Sequence, residues 1–136
     1  MAVLRVPGLT DPVLRVDTQD VGRGATGAVL GYPEGGPFTY GAAGVEAAFE
    51  ATGLDIYGRN SVTRYVYQLA AVVRPGNSGG PLVESDGTVI GMVFARSTAD
   101  PNVGYALATP AVLSDVHRGE VQPANQPVGT GDCVSS

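Results

Sequence analysis

Residues 74–81 read Arg-Pro-Gly-Asn-Ser-Gly-Gly-Pro, and Ser78 sits there with glycines on both sides. A serine hydroxyl is a weak nucleophile until a base removes its proton. The chain has no lysine, all eight cations being arginine, so a Ser–Lys pair is excluded. A Ser–His–Asp arrangement is the other common solution, and there is one histidine, His117. His117 falls beside Asp115 and Arg118 in a segment that reads as a helix, where consecutive side chains point in different directions. It is read as a solvated surface histidine. The glycines make chemical sense without the base: Gly76 and Gly79 let the backbone bend so that the amides of Gly76 and Ser78 face one point, the arrangement that stabilises an oxyanion. The bland alternative for a bare Gly-x-Ser-Gly is an ordinary glycine-rich turn.

Gly76-Asn77-Ser78-Gly79-Gly80 also fits G-x-S-x-G, the nucleophile elbow of α/β-hydrolases. Ser78, then Asp100 or Asp115, then His117 would follow the hydrolase order. That elbow needs a strand before it and a long helix after it. Here Ser78 is followed by Pro81, two apolar residues and an Asp-Gly turn, which is a hairpin.

The elements around Ser78 are short and turn-rich. Residues 1–6 (MAVLRV) read as a strand cut short. Residues 25–32 form a short apolar run closed by the turn PEGGP. Residues 40–53 are ambiguous: alanines favour helix, whereas Gly41, Gly44, Gly53 and the surroundings favour a long strand. Residues 54–61 read as loop, and residues 62–73, rich in β-branched and aromatic side chains, as strand. Residues 81–95 predict a hairpin turning at Asp86-Gly87, where φ > 0 is available. Residues 103–108 predict another strand. Thr109 as N-cap and Pro110 as first helical residue open a helix with an apolar face of Ala111, Val112, Leu113 and Val116, ended by Gly119. The fold expected is all-β: a six-stranded antiparallel barrel with a short C-terminal helix.

A length of 136 residues fits one domain, and 20 Gly with 10 Pro do not suit a helical bundle. A net charge of −5 without a basic stripe argues against nucleic acid or an anionic membrane as partner. No apolar run approaches the ~20 residues of a membrane span, and no signal peptide opens the chain. The one cysteine, Cys133, lies in the small, polar tail GTGDCVSS. It is either an inert thiol or half of a disulfide whose partner lies outside this chain, as in an oxidising compartment.

The longer strings narrow the reading. GNSGGPL (76–82), GTVIGM (87–92) and GYALATPAV (104–112) together resemble the C-terminal half of trypsin-like, chymotrypsin-fold serine proteases, and most closely the HtrA branch. VLGYPEGGPF (29–38) is similar to the family's segment early in its second barrel. The resemblance implies that residues 1–136 are the second barrel of a two-barrel endopeptidase whose first barrel is absent. Ser78 would be the acylating nucleophile, and the amides of Gly76 and Ser78 the oxyanion hole. The strand through Met92, Val93, Phe94 and Ala95 would pair with substrate backbone. Ala71, Val72, Val73, Gly104 and Tyr105 would wall an uncharged pocket suited to an aliphatic residue. Arg96 lies at the edge, where it could read an acidic group but is favoured as a solvated loop arginine.

In the family the histidine and aspartate precede the serine and come from the first barrel. The opening Met-Ala-Val-Leu falls on a strand that follows the family's aspartate directly, so the resemblance places base and acid upstream and makes this chain inactive alone. It further implies a peptide or protein substrate, no cofactor or metal, and a pairing of Cys133 with the missing half. An extracytoplasmic parent, in periplasm or cell wall and anchored to a membrane, is implied as well. The exposed half is expected to self-associate, or to lose order in the motif loop. Two other readings remain: a pseudoprotease module that binds peptide on the same strand edge without cleaving it, and an α/β-hydrolase esterase with a parallel sheet.

Overall fold

The structure, a computed structural model, describes residues 1–55 and 57–131. Six strands, β1 (Thr26–Gly31), β2 (Thr39–Leu54), β3 (Ser61–Ala70), β4 (Pro81–Glu84), β5 (Val89–Arg96) and β6 (Val103–Ala108), precede one helix, α1 (Thr109–Val121). The strands close into a barrel in the order β1-β2-β3-β6-β5-β4. Every strand pair is antiparallel. The esterase reading required a parallel sheet, and this topology excludes it.

Residues 40–53 resolve as strand. β2 is long because it pairs twice, with β1 from Thr39 to Gly44 and with β3 from Gly44 to Leu54. Its alanines favour helix locally, but ladder hydrogen bonds on both sides outweigh propensity differences of a few tenths of a kcal/mol. Alternating inward residues supply the core: Val29, Val45, Tyr67, Leu69, Leu82, Ile90, Val93 and Ala106 are all buried. Each large apolar side chain removed from water this way contributes roughly 1.5–3 kcal/mol.

Three local expectations are corrected. Residues 1–6 form no strand. The segment instead runs past the end of α1, where Arg5 donates to the carbonyls of Glu120 and Gln122 at 3.1 and 2.9 Å. Gly119 does not end the helix, which continues to Val121. A Cβ at Gly119 would lie 2.5 Å from Val3 Cγ1, so that glycine admits the N-terminal segment. The N-cap is Ala108, without a side-chain cap. Thr109 is the first helical residue and is buried, its hydroxyl donating to the Ile90 carbonyl at 3.3 Å.

At one end of the barrel the Tyr65 and Tyr67 hydroxyls donate to the two oxygens of Asp20, at 2.8 and 2.6 Å. The Val21 amide donates to the Tyr67 hydroxyl at 2.9 Å. Burial, and then the bond to Asp20, push the Tyr67 phenol well above its ordinary range. The bond to Asp20, followed by desolvation, raises Tyr65. This cluster pins residues 20–25 across the barrel end.

Candidate active site

Ser78 lies between β3 and β4, in a loop made of two consecutive turns. Asn77 N–H donates to Arg74 O at 3.0 Å, and Gly80 N–H donates to Asn77 O at 2.9 Å. Gly76 (φ 94°) and Gly79 (φ 86°) occupy the third position of each turn. Positive φ at that position, with Pro75 and Ser78 before them, makes both turns type II. A side chain at Gly76 would also collide with backbone, its Cβ falling 2.5 Å from Tyr32 O.

Two bonds fix the loop to β5: Gly79 N–H donates to Val93 O at 2.7 Å, and Val93 N–H donates to Gly80 O at 2.9 Å. The adjoining residue, Phe94, is a β-bulge, since the pairing of β5 with β6 steps from Val93–Ala106 to Ala95–Tyr105. A bulge kinks its strand and redirects the groups around it. The freed Phe94 carbonyl accepts the Ser78 hydroxyl at 3.4 Å, a long and weak bond. Ser78 is exposed, as is Gly76. Among the described residues neither the Gly76 nor the Ser78 amide donates to any acceptor. Two free backbone N–H groups thus flank an exposed hydroxyl.

Asn77 turns the other way. It is 7% exposed, and its Oδ1 makes no hydrogen bond among the described residues. It lines a cavity of about 250 Å³ with Val29, Pro33, Tyr40, Val72 and Arg74. A larger cavity of about 480 Å³ lies beyond Phe94, lined also by Leu54, Val62, Val66 and Leu107. Its wall is mostly apolar, and Ser78 sits between the residues that border the two spaces.

The other residues singled out from sequence divide into two groups. Val72 and Phe94 are exposed, 50% and 42%, beside the motif loop. Ala95 and Tyr105 are half-buried partners across β5 and β6. Arg96 is exposed and pairs in register with Gly104. Val73, by contrast, is a core residue at 3% exposure whose Cγ2 fills the space beside Gly104. These two pack together behind the surface. Cys133 lies outside the described residues. His117 is on α1, its Nδ1 3.8 Å from Glu120 Oε2, and no hydrogen bond links it to Ser78. No cluster of His, Cys, Asp and Glu that could hold a metal occurs among the described residues.

Three features escaped the sequence. The Phe94 bulge carries no local signature. The burial of Asn77 is invisible in a motif that reads as all loop. The third is the segment Pro33–Gly35, a 3₁₀ turn in which Glu34 N–H donates to Pro75 O at 2.7 Å. The PEGGP turn was legible, but not its contact with residues 75 and 76.

Comparison with known proteins places the chain in a family. Residues 1–92 match the trypsin-like peptidase domain. The chain belongs to the trypsin-like peptidase family. It is 42% identical over 136 residues to the serine protease Rv3671c of Mycobacterium tuberculosis, covering 99% of this chain and 34% of that protein. The crystal structure of that protease in its active form superposes with a TM-score of 0.84, at 42% identity, over 95% of this chain and 56% of the other. The inactive form of the same protease gives 0.72 at 39% identity, over 82% of this chain and 57% of the other. This trypsin-like chain thus spans about a third of the length of the curated relative. A further relative is the chloroplastic Protease Do-like 2 of Arabidopsis thaliana, 37% identical over 95 residues, 66% of this chain and 15% of that protein.

Proposed function

We propose that this chain is the serine-bearing second barrel of an HtrA-like serine endopeptidase. The observation that carries the reading is the pair of type II turns at 74–80, which present the Ser78 hydroxyl between two amides that donate to no acceptor among the described residues. In this reading Ser78 Oγ attacks the scissile carbonyl while its proton passes to a histidine on the first barrel, which an aspartate of that barrel orients. The carbonyl oxygen, now anionic, accepts the N–H groups of Gly76 and Ser78. The histidine returns the proton to the leaving amine, and water then releases the acyl group from Ser78 by the same route.

Substrate would lie along the outer edge of β5 at Phe94, Ala95 and Arg96, with its side chain before the scissile bond against Val72, Gly104 and Tyr105, backed by Val73. These walls are uncharged, which favours an aliphatic residue there. Support for the missing base comes from His117, whose Nδ1 lies 3.8 Å from Glu120 Oε2 on α1 with no bond to Ser78, and from the threefold greater length of the relative. Alone, the chain should hydrolyse peptides at a negligible rate, since loss of a triad member leaves only about 10³–10⁴-fold acceleration over water. The exposed Val72, Phe94, Phe49 and Leu54 fit a surface meant to be covered by the first barrel. The motif loop is held by defined bonds, so self-association is the consequence expected of the isolated half. Cys133 is proposed to pair with the first half, and the parent to act outside the cytoplasm, tethered to a membrane.

A fluorophosphonate probe tests the reading directly. The parent protein carrying both barrels should label at Ser78 and cleave casein, and this chain alone should do neither. Rapid labelling of the isolated chain would contradict the missing-base account. A parent that neither labels nor cleaves, yet binds peptide, would establish the pseudoprotease module instead.

A further inference from the structure

We propose that the backbone amide of Glu34 sets the orientation of the Pro75–Gly76 peptide, making Glu34 a positioning residue for the oxyanion hole. The inference rests on the assignment of Ser78 and Gly76 above.

The peptide is trans, so its carbonyl and its N–H point in opposite directions. Pro75 O accepts the Glu34 N–H at 2.7 Å, and the Gly76 N–H is thereby turned away from residues 33–35 and left free. The turn's own closing bond, Asn77 N–H to Arg74 O, does not select this orientation. Type I and type II turns share that bond and differ by a flip of the central peptide. Glycine at the third position accepts either sign of φ, so residues 74–77 by themselves are free to flip. In the flipped form the Gly76 N–H would face the Glu34 N–H, donor against donor, and the hole would lose one of its two amides. Selection therefore comes from outside the turn.

Glu34 is built to supply it. At φ 58° and ψ 22° it is the one non-glycine residue with positive φ among those described. The left-handed region is strained for a side chain with a Cβ, and such strain persists only where surrounding structure imposes it. Gly35 N–H donates to Tyr32 O at 3.2 Å, Gly36 N–H donates to Pro33 O at 2.9 Å, and Tyr32 packs edge-on against Phe38 at 5.7 Å between ring centres. The segment is pressed against the peptide it orients: a Cβ on Gly76 would lie 2.5 Å from Tyr32 O and 3.0 Å from Glu34 N.

The test uses the parent protein with both barrels and the series Glu34→Gly, Glu34→Asn and Glu34→Val. Glycine and asparagine tolerate the left-handed conformation, and a β-branched valine resists it. Retention should follow the order Gly, Asn, Val, irrespective of charge. Glu34→Val should lower kcat at least ~10-fold, within the ~10²–10³-fold that removal of a whole oxyanion donor costs, with KM little changed. Binding of a peptide boronate, whose tetrahedral adduct fills the hole, should weaken in parallel, while binding of the cleaved peptide product should not. Equal kcat across the series, or equal weakening of boronate and product, would overturn the proposal. Should the valine variant fail to fold, amide exchange in the wild-type protein decides. The Glu34 N–H should be protected although its side chain is exposed, and exchange at the rate of an open loop would overturn it. Ser78→Ala separates the two levels. Activity surviving in that variant refutes the underlying assignment, whereas its loss alongside a flat Glu34 series refutes the latch alone.

Discussion

Two glycine-bearing loops flank β4, and they are held in place in different ways. At Glu84–Thr88 the loop is stitched together by its own carboxylate and carbonyls. Gly87 N–H donates to Glu84 O, Glu84 N–H donates to Thr88 O, and the Asp86 carboxylate accepts the Thr88 amide, the Thr88 hydroxyl and Arg15. Gly87, at φ 83°, holds the left-handed position alone. It follows a tight turn rather than sharing a two-residue one with Asp86. At Arg74–Gly80 the turns also close, but the Gly76 and Ser78 amides remain outside the network. Similar residue types thus build one loop held by its own side chain and one held from outside, which presents two amides beside a hydroxyl. The second loop is tied instead to Val93 and to Glu34.

Four substitutions sharpen or break this contrast. Ser78→Ala in the parent protein should have the largest effect, abolishing casein hydrolysis by roughly 10⁶-fold in kcat without lowering the thermal midpoint. Gly76→Ala comes next. The added Cβ meets the Tyr32 carbonyl at 2.5 Å, the turn must change, and kcat should fall about 10²–10³-fold in steady-state assays.

Tyr67→Phe acts on the Asp20 cluster. It strands the Val21 amide and one Asp20 oxygen, so denaturant titration should show a loss of about 1–3 kcal/mol with little change in kcat. In the wild type the Tyr67 phenol is raised in the folded state, by burial and then by Asp20. Its contribution is therefore complete below an unfolded phenol pKa of about 10. It fades as pH rises through the higher folded value, and Tyr67→Phe should be insensitive to that part of the alkaline loss.

Asp86→Ala should be mildest. The Thr88 amide, followed by the Thr88 hydroxyl, holds the Asp86 carboxyl below its ordinary value. Its stabilisation is present above an unfolded pKa of about 3.9 and is lost as pH falls through the lower folded value. The variant's deficit in thermal midpoint should thus be seen at neutral pH and shrink in acid. A hydrolysis defect in Asp86→Ala would break the contrast between the loops.

Much of the architecture was legible because it rests on local pattern. The Gly-Asn-Ser-Gly-Gly-Pro string, the alternation through β3, the hairpin at 81–95 and the strand at 103–108 each announce themselves within a few residues. The errors arose where a distant surface decided. Residues 1–6 look like a strand yet are held against the end of α1 through Arg5. Gly119 looks like a stop but serves as clearance for Val3. Residues 40–53 were ambiguous because helix propensity and strand pairing competed, and only the two neighbouring strands resolve them.

The same division holds for the site. Residue order alone determined that Ser78 stands in a turn able to expose its hydroxyl, that no lysine can serve it and that the only histidine is badly placed. Turn chemistry is a property of adjacent residues, so sequence suffices for it. The direction in which the Gly76 amide points depends instead on which of two nearly equivalent turn geometries is chosen. In the proposal above that choice is made by Glu34, whose N–H lies 2.7 Å from the Pro75 carbonyl although 41 positions separate the two residues in the chain. Such contacts exist only once the barrel has closed.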